Sequence, residues 1–314
     1  MIVTADDRAW FKRCRRSWDL GATARQHLGP VAPSGTGPDL ARAVRDALAV
    51  HYFPGMWVWD RSVVAPLVVA ALDKSLARQR AAVETTDDGS WQEARASGAS
   101  MMERYAAWSD DVDDFTPLRV EADVEVNLAD PWMDNRDLAT ADGDPVRYRD
   151  RIHLLVSDEA DQHWIVEHRV VVDDWTDPEQ LLLDERATTA CWAWERLMLL
   201  TVAGVVYNEV RLDEQAVRRT AVPRSRYELV GAGDRISLEA MEMIDPATRL
   251  YPNPTTDGCA RCPFRSPCRA MNVGEDVAGL LAGSYRLLPK ENWEEGRLGG
   301  ESWSMSRGAR PNRF

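Results

Sequence analysis

Four cysteines constrain this chain more than anything else in it. Cys259, Cys262 and Cys268 close its latter part as a C-x2-C-x5-C in CARCPFRSPC, and Cys14 lies about 245 residues earlier. A C-x2-C pair lets two thiolates reach one metal centre without straining the backbone, and two further sulfurs complete a four-sulfur set. The spacing therefore predicts that Cys14, Cys259, Cys262 and Cys268 hold one metal centre, whereas Cys191, inside an apolar helical run, reads as a small buried hydrophobe. Spacing alone leaves zinc and iron–sulfur both open. A ligand as remote as Cys14 is uncommon in zinc ribbons, whose ligands sit close in sequence. Closing so long a loop would restrict the unfolded chain by about several kcal/mol in a chain-entropy estimate. Arg13, Arg15, Arg261, Arg265 and Arg269 flank these cysteines and either offset the charge of an all-thiolate centre or are simply solvated.

The 314 residues carry 45% hydrophobic side chains, enough for a sizeable core. No run of eighteen apolar residues is present, so no membrane span is expected. The opening MIVTADDRAWFKRC has no apolar leader pattern, so a cytoplasmic location with reduced or metal-bound thiols is expected rather than disulfides. The net charge of −13 argues against sequence-blind grip on a polyanion over the whole surface and leaves room for a local basic groove. The lysines are Lys12, Lys74 and Lys290; arginine supplies the rest of the positive charge. The 13 tryptophans read mainly as core residues, with base-stacking platforms as the sharper alternative.

Periodicity predicts helix over 1–28, a Pro/Gly turn region over 28–38, and helices over 39–53, 62–83 and 90–110, with an acidic break at 110–117. Period-two alternation then predicts strands over 119–128, 146–158 and 163–171, the last two joined by the polar hairpin EADQ. A helix over 185–200, a strand over 205–212 and a helix over 235–249 follow. The expectation is one α/β domain over 1–289, with a helical insertion at 39–115, a core sheet at 119–212 and a cysteine segment at 251–275. Residues 290–314 read as a mobile tail.

Four segments resemble the RecB-like branch of the PD-(D/E)XK nuclease superfamily, which includes CRISPR-adaptation nucleases and helicase–nuclease ends. FKRCRRSWDL resembles that branch's opening helix with its lone cysteine, and GTGPDLARAVRDAL its glycine-led helix. YRDRIHLLVSDEADQHWIVEHRVV is similar to its central hairpin, and YPNPTTDGCARCPFRSPC to its closing cysteine motif. The similarity spans roughly residues 10 to 280. It implies a restriction-endonuclease-like core of a mixed central sheet flanked by helices. It also implies a [4Fe–4S] cluster on Cys14, Cys259, Cys262 and Cys268 joining the two ends. DNA would be the substrate, single-stranded or ended, with a helicase or other protein as partner. Cleavage in this family uses Mg²⁺ or Mn²⁺ on hard oxygen ligands.

The chain departs from the family where the chemistry sits. The family's Asp falls on His153, its Asp/Glu on Glu167, its Lys on Arg169, its upstream His on Arg45 and its later Gln on Arg186. Glu167 alone keeps its type and remains a candidate metal ligand. Glu167 and Arg169 are two apart on a strand and share a face, whereas Asp150, three before His153, is expected to point the other way on a regular strand. Asp142 and Asp144, in the turn before, are the other oxygens able to swing in. Arg169 lacks lysine's compact, adjustable ammonium. Losing one such group costs roughly 10²–10³ in rate, so losing several predicts a fall of about four orders or more. The set Arg45–Glu167–Arg169–Arg186 is then expected to be an ion-pair network in a decayed cutting centre.

His27, His51, His163 and His168 show no paired metal-binding spacing and read as surface or satisfied core residues. No phosphate-binding P-loop and no nucleophile elbow is encoded. Lys12/Arg13/Arg15/Arg16 and Arg218/Arg219/Arg224/Arg226 either track a phosphate backbone or are solvated. Three functions stand: a DNA- or partner-binding nuclease relative with cleavage lost or weakened, an active exonuclease of repair, recombination or defence with relocated ligands, and a zinc-clasped interaction protein.

Overall fold

A computed structural model describes residues 1–31, 37–83, 88–172, 174–212 and 216–288. The chain opens with strand β1 (Ile2–Thr4) and helix α1 (Ala5–Arg13). Thr4 and Asp7 form a capping box: the Thr4 hydroxyl accepts from the Asp7 amide at 3.1 Å, and the Asp7 carboxylate accepts from the Thr4 amide at 3.0 Å. The helix expected over 1–28 is broken. Cys14 has extended dihedrals (φ −165°, ψ 110°) and ends α1 while starting α2 (Arg15–Gly21). Its amide donates to Trp10 O at 2.8 Å, and its carbonyl accepts from the Trp18 amide at 3.0 Å. Part of the expected turn region is instead a short strand, β2 (Leu28–Pro30).

The helical insertion follows the apolar periodicity: α3 (Leu40–His51), a 3₁₀ turn (Pro54–Met56), α4 (Arg61–Ala81) and α5 (Asp88–Val112). Strands β3 (Phe115–Asn127), β4 (Arg147–Asp158) and β5 (His163–Val171) come next, then α6 (Pro178–Leu182) and α7 (Glu185–Met198). Strand β6 (Val202–Arg211) pairs with a strand not expected from the sequence, β7 (Val217–Pro223). Helix α8 (Arg226–Ile244) starts nine residues before the expected one, at a Ser225–Glu228 capping box, and ends five residues earlier. The chain closes with α9 (Thr256–Ala260), α10 (Arg265–Val273), α11 (Val277–Ser284) and β8 (Tyr285–Leu287). The expected tail at 290–314 lies outside the described residues.

The central sheet is mixed. β3 lies along one edge of β4; β1 and β5 share its other edge, with β6 and β7 beyond β5. The β1–β4 and β5–β6 pairs are parallel and the others antiparallel. The valine-rich β6 is buried on both faces, as a strand parallel to a neighbour beneath helices should be. One apolar cluster packs a sheet face against α1, α2, α7 and α8, and another packs the opposite face against α3, α4 and α5. The protein is therefore a mixed α/β fold, its sheet flanked by helices on both sides.

A buried polar chain fastens the insertion to the second face. Tyr105 Oη lies 2.8 Å from Tyr52 Oη and 3.0 Å from His168 Nε2, and it accepts from Asn208 Nδ2 at 2.8 Å. Arg219 donates to Asn208 Oδ1 at 2.9 Å and pairs with Asp113, which also accepts from Tyr52 at 3.0 Å. Burial pushes His168 well below its ordinary pKa, helped by the charges of His153, His51, Arg219 and Arg45, so its ring enters this chain neutral.

The ends of the chain meet. β2 and β8 pair antiparallel, and Phe264 stacks on Tyr285 at 5.6 Å with Trp10 edge-on at 6.2 Å. Gly21 permits this approach, because a Cβ there would lie 1.9 Å from Trp10 Cζ3 and 2.8 Å from Phe264 Cε2. Gly21→Ala is expected to destabilise the protein by roughly 1–3 kcal/mol through overpacking, read as a lower urea midpoint with an unchanged m-value.

Candidate functional site

Two groups of side chains contain the candidate residues singled out from the sequence. The first forms where β4 and β5 part. These strands pair only from Leu154↔Val166 to Ser157↔His163, after which β5 runs on beside β6 while β1 takes its place next to β4. His153 and Glu167 stand at that fork.

Glu167 is half-buried and, among the described residues, its side chain makes no hydrogen bond or ion pair. Burial raises its pKa; His153 and Arg186 pull it back, and Asp150 and Asp184 add to the rise. Arg169 turns away from it, pairing with Asp184 and lying 4.6 Å over the Tyr207 ring. The expected Arg45–Glu167–Arg169–Arg186 ion-pair network is therefore not what fills the site. Asp184, the N-cap of α7, captures Arg169 and also accepts from Tyr207 at 3.1 Å and from the Ala187 amide at 3.2 Å. No sequence motif paired Asp184 with Arg169; its position as a capping residue before an amphipathic helix was the available signal. Arg186 faces Asp150 and Glu167, and although burial opposes its charge, those carboxylates raise its pKa. Arg45, on α3, adds positive charge beside His153 and His168.

His153 Nδ1 lies 2.9 Å from Glu121 Oε1. Burial works against a charged ring there, but this hydrogen bond and the charges of Glu121 and Glu167 outweigh it and raise the His153 pKa.

Asp150 corrects a simple strand argument. Ile152 packs in the cluster beneath α7 and Leu154 in the opposite cluster, although they are two apart. Across from them, Ala122 and Val120 divide the same way, with Glu121 between them at φ 49°. Both strands switch faces at this irregularity. Asp150 and His153, expected to face apart, thus both act on the Glu167 carboxyl. Asp150 is buried; desolvation raises its pKa against the pull of Arg186, the Arg151 amide, the Tyr148 hydroxyl and His153. Asp142 and Asp144 are exposed in the turn at 141–144 and are not among the charges acting on Glu167.

The second group is the cysteines. Cys14, Cys259, Cys262 and Cys268 line one cavity of about 190 Å³ between the α1–α2 break and the closing segment. Asn253 Nδ2 donates to Arg13 O at 3.1 Å, and the Arg16 amide donates to Tyr251 O at 3.2 Å. The Arg16 guanidinium donates to Cys268 O at 3.3 Å, Cys268 Sγ at 3.4 Å and Asn272 Oδ1 at 2.8 Å. Burial raises the Cys262 pKa, eased by the Phe264 amide and Arg13, with Cys14 and Cys268 adding to the rise. Among the described residues, no group of three or more His, Cys, Asp or Glu side chains stands close enough together to hold a metal ion as placed. The donor set is all sulfur, which suits a thiophilic metal, and the shared cavity is many times the roughly 10–15 Å³ needed to hold one water. Cys191, on the buried face of α7, is buried as expected, its thiol pKa raised by desolvation.

The second basic cluster is mostly internal: Arg218 pairs with buried Glu209, Arg219 with Asp113, and Arg224 donates to Leu181 O at 2.7 Å. Those three side chains are committed to the fold rather than arranged along an outer face.

The His153–Glu121 contact has a definite pH dependence. A raised folded-state pKa means its stabilisation is fully present below the unfolded histidine value, about 6.5, and is lost as pH rises through the folded value. The melting-temperature gap between wild type and Glu121→Gln is expected to be wide near pH 5.5 and to close by about pH 8.5. A gap that widens with pH would refute the assignment.

No family model and no curated protein matches this chain. A weak structural likeness links it to the crystal structure of SSO0001, at 12% identity and a TM-score of 0.32 over 76% of this chain and 88% of that one. A likeness at that distance carries no argument about what the chain does.

Proposed function

We propose that the chain is a RecB-like PD-(D/E)XK fold in which DNA binding persists and cutting is lost or much reduced, its two ends joined through a [4Fe–4S] cluster on Cys14, Cys259, Cys262 and Cys268. The observation that carries this reading is the fate of the two replaced catalytic positions. Arg169 stands where the family's lysine would meet the scissile phosphate, and its charge is spent on Asp184 and Tyr207. His153 stands where the family's aspartate would hold Mg²⁺, and it is tied to Glu121 with its pKa raised, so its ring favours a proton over a metal. Glu167 alone is a poor Mg²⁺ site, since that ion needs several hard oxygens.

A cluster, when bound, would hold together two segments far apart in sequence; it has no step to perform at the fork. The four cysteines in one cavity with an all-sulfur donor set support it, and zinc remains the competing occupant. Purified protein is expected to be brown, to absorb near about 400 nm and to lose that absorbance in Cys14→Ser. A colourless protein holding one zinc would replace the cluster.

A second reading is favoured by Asp150, which the twist in β4 turns toward Glu167. Asp150 and Glu167 would then be the oxygen pair of a working Mn²⁺ site. The experiment separating the two is cleavage of labelled single- and double-stranded DNA with Mg²⁺ or Mn²⁺. The first reading expects a rate about four orders or more below that of a complete site. Mn²⁺-dependent cleavage abolished by both Glu167→Ala and Asp150→Ala would establish the second instead.

A further inference from the structure

The mouth of the cysteine cavity has a charge pattern that cluster binding does not account for. The chain as a whole carries 51 acidic against 38 basic residues. Four arginines, Arg13, Arg16, Arg265 and Arg269, nevertheless line this cavity, and no acidic residue does. Arg16 is engaged inward, on Cys268 and Asn272. The other three are exposed. Among the described residues, Arg13 and Arg265 make no ion pair, and Arg269 has only a long contact of 3.7 Å to exposed Glu275. By contrast, Lys12 and Arg15, on the same opening segment, pair with Glu185 and Glu242.

Beside this rim, Tyr251 is 52% exposed, with the Arg15 guanidinium 5.3 Å over its ring. Its carbonyl is held by the Arg16 amide, and the residues that follow, Pro252 to Thr255, line the cavity. The ring is thus an aromatic face fixed next to arginines that are unpaired or, for Arg269, only weakly paired. Exposed arginines with no close acidic partner neutralise phosphates, and an exposed ring accepts an unstacked base. A duplex offers the phosphates but keeps its bases stacked, so the pairing of rim and ring favours a single strand.

We propose that this rim, Arg13, Arg265 and Arg269 with Tyr251, is a contact site for single-stranded DNA, separate from the strand fork. It rests on the DNA-binding reading above and adds where the strand lies. The test is fluorescence anisotropy with a fluorescein-labelled oligothymidylate across a salt series, using the metal-loaded full chain. Arg13→Gln/Arg265→Gln/Arg269→Gln is expected to lower the slope of log K against log[salt] by about 2, at about 0.7 per phosphate contact on a single strand. The control Arg78→Gln/Arg80→Gln/Arg95→Gln, on α4 and α5, is expected to leave the slope within about 0.7 of wild type. Tyr251→Ala is expected to weaken binding roughly ten-fold with the slope unchanged. Metal content is measured on each variant; if the triple variant loses its metal, Tyr251→Ala decides.

Wild-type binding that survives the rim and ring substitutions unchanged would overturn this site and leave the DNA-binding reading standing. A wild-type protein with no affinity for the oligonucleotide would overturn both. Equal loss of slope in the α4/α5 control would show that overall charge rather than the rim governs binding, and would overturn the site.

Discussion

The hydrogen bonds between the α1–α2 break and the segment at 251–253 are the constraint on which the rest of the architecture turns. Asn253 Nδ2 to Arg13 O and Arg16 N to Tyr251 O join residues about 240 apart in sequence. Nothing local in either segment would bring them together. They meet because α1 is already seated on the sheet: buried Arg8 reaches Glu239 at 2.6 Å and Thr189 at 3.2 Å, fixing α1 to α8 and α7. With α1 so placed, the extended geometry of Cys14 turns its thiol toward the closing segment rather than along a continuous helix, and one residue serves both helix termini. The four-thiol cavity is a product of that seating, and so is the aromatic packing of Trp10, Phe264 and Tyr285.

The fork between β4 and β5 depends on a different device. Two strands that part must leave backbone groups without a ladder, and here β1 takes up the released edge of β4 while β6 supports β5 along its length. The opening so made holds an unusual balance of charge. An unpaired carboxylate at Glu167 is costly to bury, and it is tolerated because Arg186 and His153 stand near without closing on it. A site tuned only for stability would have let Arg169 pair with Glu167. The capping carboxylate of Asp184 captures Arg169 instead, which leaves the Glu167 carboxyl without that partner.

Much of the architecture was legible in the residues. The helical periods of the insertion, the alternation of β3 and the hairpin of β4 and β5 read directly, because each element presents one face to a core. β7 did not, since VRRTAVP carries two consecutive arginines, Arg218 and Arg219, whose partners Glu209, Asn208 and Asp113 are supplied by other elements. The start of α8 was legible in principle from Ser225 and Glu228, whose capping box outranks the mixed run that follows. The position of Asp150 was not. It depends on both paired strands switching faces at Glu121, and a left-handed backbone at a glutamate leaves no mark in the pattern of apolar residues. Likewise, spacing pointed to the four cysteines that line one cavity, whereas the arginine rim around them required knowing which cations already had partners.

The buried hydroxyl and imidazole chain through Tyr52, Tyr105, His168 and Asn208 has a mechanical corollary. Helices α3 and α5 cannot slide over the sheet without separating these groups in a space where no solvent replaces them, and each separation exposes the penalty of an orphaned polar atom. The insertion and the strands beneath it should therefore come apart in a single step, exchanging their amide hydrogens together rather than fraying from the helical side.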